Sequence, residues 1–181
     1  MFEAGIIIFF GVHLIPLFTN LKSFLQSKLG EYPYKGIFAL ISLAGLLMII
    51  FGYESGTNYH YSVYPNAYLY STYVMFFSLT FLVAANLPTY IKKITRHPMS
   101  LGIAVWAILH LAVNPDTYSI ILFGSFLAYS AVSALVSELR DEKKKASDAK
   151  IIFDALSVVL GIFITYLAFN YHEYISGAIL V

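Results

Sequence analysis

Two histidines lie inside apolar stretches, where an ionisable side chain is costly and by default marks a functional site. His13 is flanked by Phe9, Phe10, Leu14 and Leu17, and His110 sits within Val105–Leu111. A neutral imidazole offers one ring nitrogen to iron, and imidazoles from two helices commonly form the axial pair of a non-covalently held b-type haem. Trp106 falls one turn before His110 on the same helical face, with Gly102 a turn further, a stripe that would accept a flat ring. The competing reading makes both histidines packing residues, hydrogen-bonded to a neighbouring helix. Counting 1.5 Å per residue, His13 lies roughly 15 Å below the outer membrane edge and His110 about 6 Å. With helix tilt the pair would flank one large planar cofactor rather than share a small ion.

A second constellation is Arg96-His97-Pro98. Proline suits the first helical turn, where its missing N–H would be unpaired anyway. The helix start, with Arg96 and His97 beside it, presents N–H groups and positive charge to an anion or a lipid headgroup. A capped helix start with an interfacial arginine is the plainer alternative. Thirteen residues, about 220° of helix rotation, separate His97 from His110, so they occupy different faces. His60 and His172 are expected to be solvated or interfacial near the outer surface, either within reach of a site on that side, and Asp154 beside a lysine or in water. The absence of cysteine removes disulfides, thiolate metal sites and cysteine-linked haem. No phosphate loop, serine elbow or paired-carboxylate motif is present.

The elements that must position these groups are membrane helices. The 181 residues are 59% hydrophobic and 12% charged, with mean hydropathy +0.75. Soluble domains carry roughly 25% charged residues, so lipid must cover most of the outside. Apolar runs span Ala4–Phe18, Gly36–Tyr53, Ala67–Leu87, Pro98–Val113, Tyr118–Val136 and Ile151–Phe169. Most approach the ~20 residues that cross ~30 Å of hydrocarbon, the first and fourth being short. The spacing predicts an all-α polytopic bundle of about six transmembrane helices, one domain over residues 1–181, its first helix retained rather than cleaved.

All 11 basic residues fall in alternate connections: Lys22, Lys28 and Lys35; Lys92, Lys93 and Arg96; Arg140, Lys143, Lys144, Lys145 and Lys150. Basic loops stay cytoplasmic, which puts both termini on the other side. The mixed-charge segment Glu138–Lys150 reads as a solvated loop, able to meet anionic headgroups. Tyr59, His60, Tyr61, Tyr64 and Tyr68 read as an interfacial aromatic belt, or as a cap over a cavity. Gly124, Ser125, Ala128, Ala131 and Ala134 read as close-packing positions for another helix.

Gly11-Val12-His13-Leu14-Ile15-Pro16, Ser42–Leu46 with Gly52-Tyr53, Thr95–Gly102, Trp106–Ala112 and Leu122-Phe123-Gly124 together resemble the NnrU family. The tail Tyr171–Gly177 fits its ending more loosely. The resemblance implies a multi-pass bacterial inner-membrane protein linked to nitrite and nitric oxide metabolism in denitrification. The family is related to the plant-type 15-cis-zeta-carotene isomerase, which carries a b-type haem with histidine ligands. By that resemblance His13 and His110 match haem-iron ligands, His97 is a further matching histidine, and isomerase-like redox chemistry is a second expectation. Expected partners are the lipid bilayer with a hydrophobic small-molecule substrate or nitrogen-oxide respiratory components, and no nucleic acid. Two alternatives stand beside this. One is an S-adenosylmethionine-dependent membrane methyltransferase of the isoprenylcysteine type, which also places Arg-His-Pro at a cytoplasmic helix end. The other is a non-catalytic membrane assembly factor.

Overall fold

A computed structural model describes residues 1–54, 58–140 and 148–176. Lys143, Lys144, Lys145, Gly56 and Gly177, which entered the sequence reading, lie outside them. The helices are α1 (Phe2–Leu14), α2 (Thr19–Leu29), α3 (Glu31–Gly52), α4 (Pro65–Ala84), α5 (Tyr90–Thr95), α6 (Pro98–Val113), α7 (Thr117–Leu139) and α8 (Ile151–Ser176). Among the described residues the only extended pairing is an isolated bridge between Tyr59 and Asp116. The all-α expectation therefore holds.

Each apolar run has become a helix, but they differ in reach. Among the described residues four helices are long and apolar enough to cross a membrane alone, α3, α4, α7 and α8. A fifth crossing is obtained if α1 and α2 count as one bent span. Pro16 stops α1 by removing a backbone donor, the chain tightens into a 3₁₀ turn over Ile15–Leu17, and α2 departs at 96°. With 16 residues, α6 is about 24 Å long, short of a full crossing. Against the expected count of about six transmembrane helices, length and composition support four or five among the described residues.

The helices pack in the order α3–α1–α7–α6–α4–α8, antiparallel at each step except α1 with α7, which run the same way, with α6 between α4 and α7 and α8 on the far side of α4. Close approach at these seams is made by glycines. A Cβ on Gly5 would lie 2.7 Å from the Ile49 backbone nitrogen, and one on Gly102 would lie 2.8 Å from the Ser78 carbonyl oxygen. Small residues let helix backbones approach where lipid provides no hydrophobic drive between helices. The expectation for α7 is corrected here. The Cβ direction of Gly124 is open, and Ala128 and Ala131 are exposed.

The pairing also gathers Lys22, Lys28, Lys35, Lys92, Lys93, Arg96, Arg140 and Lys150 at one end of the bundle, because every basic connection joins helix ends on that side. The opposite end carries the tyrosine-rich segment.

Candidate functional site

His110 occupies the last turn of α6. Its Nδ1 is 2.8 Å from the Trp106 carbonyl oxygen, four residues back. A carbonyl only accepts, so Nδ1 carries the proton and Nε2 of the neutral ring keeps its lone pair. The ring packs on Trp106 at 4.9 Å and on Phe123 of α7 at 4.6 Å, and faces His172 of α8 at 6.4 Å with the two planes 28° apart. Three helices thus converge on one imidazole.

His13 repeats the arrangement at the end of α1. Its Nδ1 is 2.7 Å from the Phe9 carbonyl oxygen. Around the ring stand Phe9 at 4.3 Å, Phe38 of α3 at 5.2 Å and Tyr129 of α7 at 6.0 Å. The Tyr129 hydroxyl donates to the His13 carbonyl oxygen at 3.2 Å, one of the acceptors that the break at Pro16 leaves without a helical partner. Tyr34 and Ser42, on the α3 stripe that includes Phe38, have buried hydroxyl oxygens without a hydrogen-bond partner among the described residues.

The two histidines sit at different levels. Phe123 marks the level of His110 on α7 and Tyr129 that of His13, six residues or about 9 Å apart along the helix. Phe126 lies between, touching Trp106 at 5.2 Å on one side and Phe9 at 5.8 Å on the other. The structure brings His110 together with Trp106 and His172, and holds His13 in a separate aromatic pocket. No group of three or more His, Asp or Glu side chains suited to a metal ion occurs among the described residues.

At the basic end, Arg96 and His97, read as a site for an anion or headgroup, both meet a carboxylate of the chain itself. Glu138, at the end of α7, approaches His97 Nε2 with Oε2 at 2.9 Å and pairs with Arg96 through Oε1. Arg96 has φ +59°, a region that non-glycine residues rarely enter, and it links α5 to the proline start of α6. Asp154 was expected beside a lysine or in water, and its place is different. It is buried, and its two oxygens accept from the backbone N–H groups of Tyr90 and Ile91 at 3.0 and 2.9 Å, capping α5 from α8.

The tyrosines of the opposite end act as more than a belt. The hydroxyl of Tyr61 donates to the carbonyls of Leu111 and Asn114, the latter at 3.1 Å, and Tyr68 reaches the Val113 carbonyl at 3.5 Å. These are the unpaired acceptors at the end of α6, the turn that carries His110. His60 Nε2 lies 2.8 Å from Thr117 Oγ1, and Tyr53 bonds Ser119 at 2.6 Å. Burial holds the Tyr61 phenol above its ordinary pKa, with the Asp116 carboxylate adding to the effect. Two apolar grooves of about 380 and 430 Å³ run along the contact of α4 and α8, and neither is walled by His13 or His110.

The profile of the family described as NnrU protein matches residues 1–179. The chain belongs to the NnrU family. No curated protein and no solved structure matches it. In this NnrU chain, His13, Arg96, His97, Trp106 and His110 were visible beforehand as residues. His172 was read as solvated or interfacial and within reach of an outer-side site, and Glu138 as part of a charged loop. Their placement beside His110 and His97 depends on which helices pack together.

Proposed function

We propose that this NnrU-family chain is a haem b protein of the bacterial inner membrane, serving one-electron chemistry in nitrite and nitric oxide metabolism. One observation carries the reading. Each intramembrane imidazole ties Nδ1 to a carbonyl of its own helix and so presents Nε2, the arrangement of an orienting hydrogen bond behind a metal-ligating histidine. For His110, a second imidazole from α8 faces it nearly parallel at 6.4 Å, and Trp106 and Phe123 supply aromatic walls for a flat macrocycle. These donors fit haem iron, with His110 and His172 as the pair favoured by proximity and His13 as a ligand at a second, deeper level. When bound, haem would supply one-electron exchange at its iron. The chain itself would orient the imidazoles, exclude water with its aromatic side chains and hold the end of α6 through Tyr61 and Tyr68. Partners are then nitrogen-oxide respiratory components or a hydrophobic small molecule reached through the bilayer, the second being the setting for isomerase-like chemistry.

The test is the oxidised and reduced absorption spectrum of detergent-purified protein, expressed with haem supply, for wild type and for His13→Ala, His110→Ala and His172→Ala. A split α/β pattern on reduction, lost in His110→Ala and His172→Ala and kept in His13→Ala, is the expected result. Loss in His13→Ala and His110→Ala alone would move the axial pair to those two residues. A colourless wild type would overturn haem binding.

A further inference from the structure

Helix α2 bends away from α1 at 96° and carries Lys22 and Lys28 at the basic end of the molecule. Its sequence, Thr-Asn-Leu-Lys-Ser-Phe-Leu-Gln-Ser-Lys-Leu, contains no acidic residue. On a helical projection Leu21 and Phe24 share one sector with Lys28, while Thr19, Ser23 and Gln26 fall on the opposite side. The protein leaves the apolar sector uncovered. Leu21 is 42% exposed, Phe24 57%, and Phe18 just before the helix 61%. An apolar face exposed to water at this position would be an aggregation liability, whereas the edge of a bilayer lies beside it because α3 starts two residues after α2 ends. A lysine in the middle of the apolar sector fits only an interface, where its stem follows the acyl boundary and its ammonium rises to the phosphates. The 3₁₀ turn at Pro16 and the left-handed Gly30, φ +87°, fix the two corners that set this orientation.

We propose that α2 is an in-plane interfacial helix that buries Leu21 and Phe24 in the leaflet at the basic end and binds anionic phospholipid headgroups through Lys22 and Lys28. Its geometry is that of a monotopic amphipathic helix, with cations and no carboxylates of its own. The surface charge that suits it is that of an anionic leaflet, which attracts basic residues placed within a Debye length.

The chain has no cysteine, so single-cysteine variants give unique label positions. Full-length protein carrying a nitroxide at Leu21→Cys, Phe24→Cys or Ser23→Cys is placed in nanodiscs of phosphatidylglycerol and phosphatidylcholine. Labels at positions 21 and 24 should be reached by oxygen and shielded from a water-soluble nickel chelate, with the reverse at position 23. Retention of phosphatidylglycerol on the purified protein, read by native mass spectrometry, should fall about fivefold for each lysine removed in Lys22→Gln and Lys28→Gln. The Lys22→Arg/Lys28→Arg double variant should retain it. Equal chelate access at all three positions overturns the in-plane placement. Unchanged phosphatidylglycerol retention in the double glutamine variant, or equal retention of phosphatidylcholine by the wild type, overturns the anionic-headgroup site.

Discussion

A phenol that donates to two carbonyls is the residue-scale feature that best explains why the end of α6 is held in place. Tyr61 satisfies acceptors of Leu111 and Asn114 that the helix itself leaves unpaired. Tyr61→Phe should therefore lower stability by about 1 kcal/mol in a detergent thermal melt. The pH dependence has a defined sign. The folded-state pKa of Tyr61 is raised above its ordinary value, so its contribution is fully present below about pH 10 and is lost as pH rises through the folded pKa. Melting curves from pH 8 to 11 should fall more steeply for the wild type than for Tyr61→Phe, and coincident slopes would rule this out. The Arg96–His97–Glu138 cluster behaves differently. Its arginine and glutamate side chains are 60% and 45% exposed and screened by water, so Glu138→Gln should leave the melting temperature nearly unchanged. A large drop in the same melt would show that the cluster is a structural clamp.

At the scale of the element, glycines separate into two groups that the sequence does not distinguish. A Cβ on Gly45 would meet the Phe9 backbone nitrogen at 2.8 Å, backbone that cannot rotate aside, whereas the Cβ direction of Gly124 is open. Gly45→Ala should cost about 1–3 kcal/mol by forcing α1 from α3. Gly124→Ala should be neutral or stabilise by up to about 1 kcal/mol, as for any helical Gly→Ala in free space. Parallel thermal melts decide both, and similar losses in the two variants would mean that α7 packs more tightly than the bundle shows. A comparable argument applies to α5, only six residues long and too short to persist alone. Asp154 caps it from α8 through two backbone N–H groups, so Asp154→Ala should cost about 0.5–2 kcal/mol and loosen the turn at Arg96. Hydrogen exchange at Tyr90 and Ile91 is the direct readout, and unaltered protection there would exclude the capping role.

For the whole molecule, the gathering of basic residues at one end makes an orientation that whole cells can report. Asn58 and Asn114 lie at the tyrosine-rich end and Ser23 at the basic end. In intact cells a membrane-impermeant maleimide should label cysteines placed at 58 and 114 and spare one at 23, which becomes reactive only after lysis. The opposite labelling would invert the molecule and move the basic surface outside. The contacts between α1–α3 and the remaining helices run through aromatic side chains, Phe9, Phe10 and His13 against Phe126 and Tyr129. The bundle is thus two glycine-sealed parts joined by an aromatic seam, and the two histidine levels lie on either side of that seam.

What the amino-acid order determined by itself was local or cumulative. Hydropathy over about twenty residues marked the helices, alternation of the basic connections ordered their ends, and burial of an imidazole in an apolar run singled out His13 and His110. Pro98 announced a helix start for the same reason, since a missing N–H acts within one turn. Only the tertiary structure decided the pairings across the chain. His110 and His172 lie 62 residues apart, His97 and Glu138 41, and Tyr90 and Asp154 64, and they meet because α6 and α8 both pack on α4, α6 on α7, and α5 on α8. The small-residue stripe of α7 and the seams of α1, α3, α4, α6 and α8 look alike in composition. Which of them becomes a contact is set by the joint packing of all the helices, a property that no single segment carries.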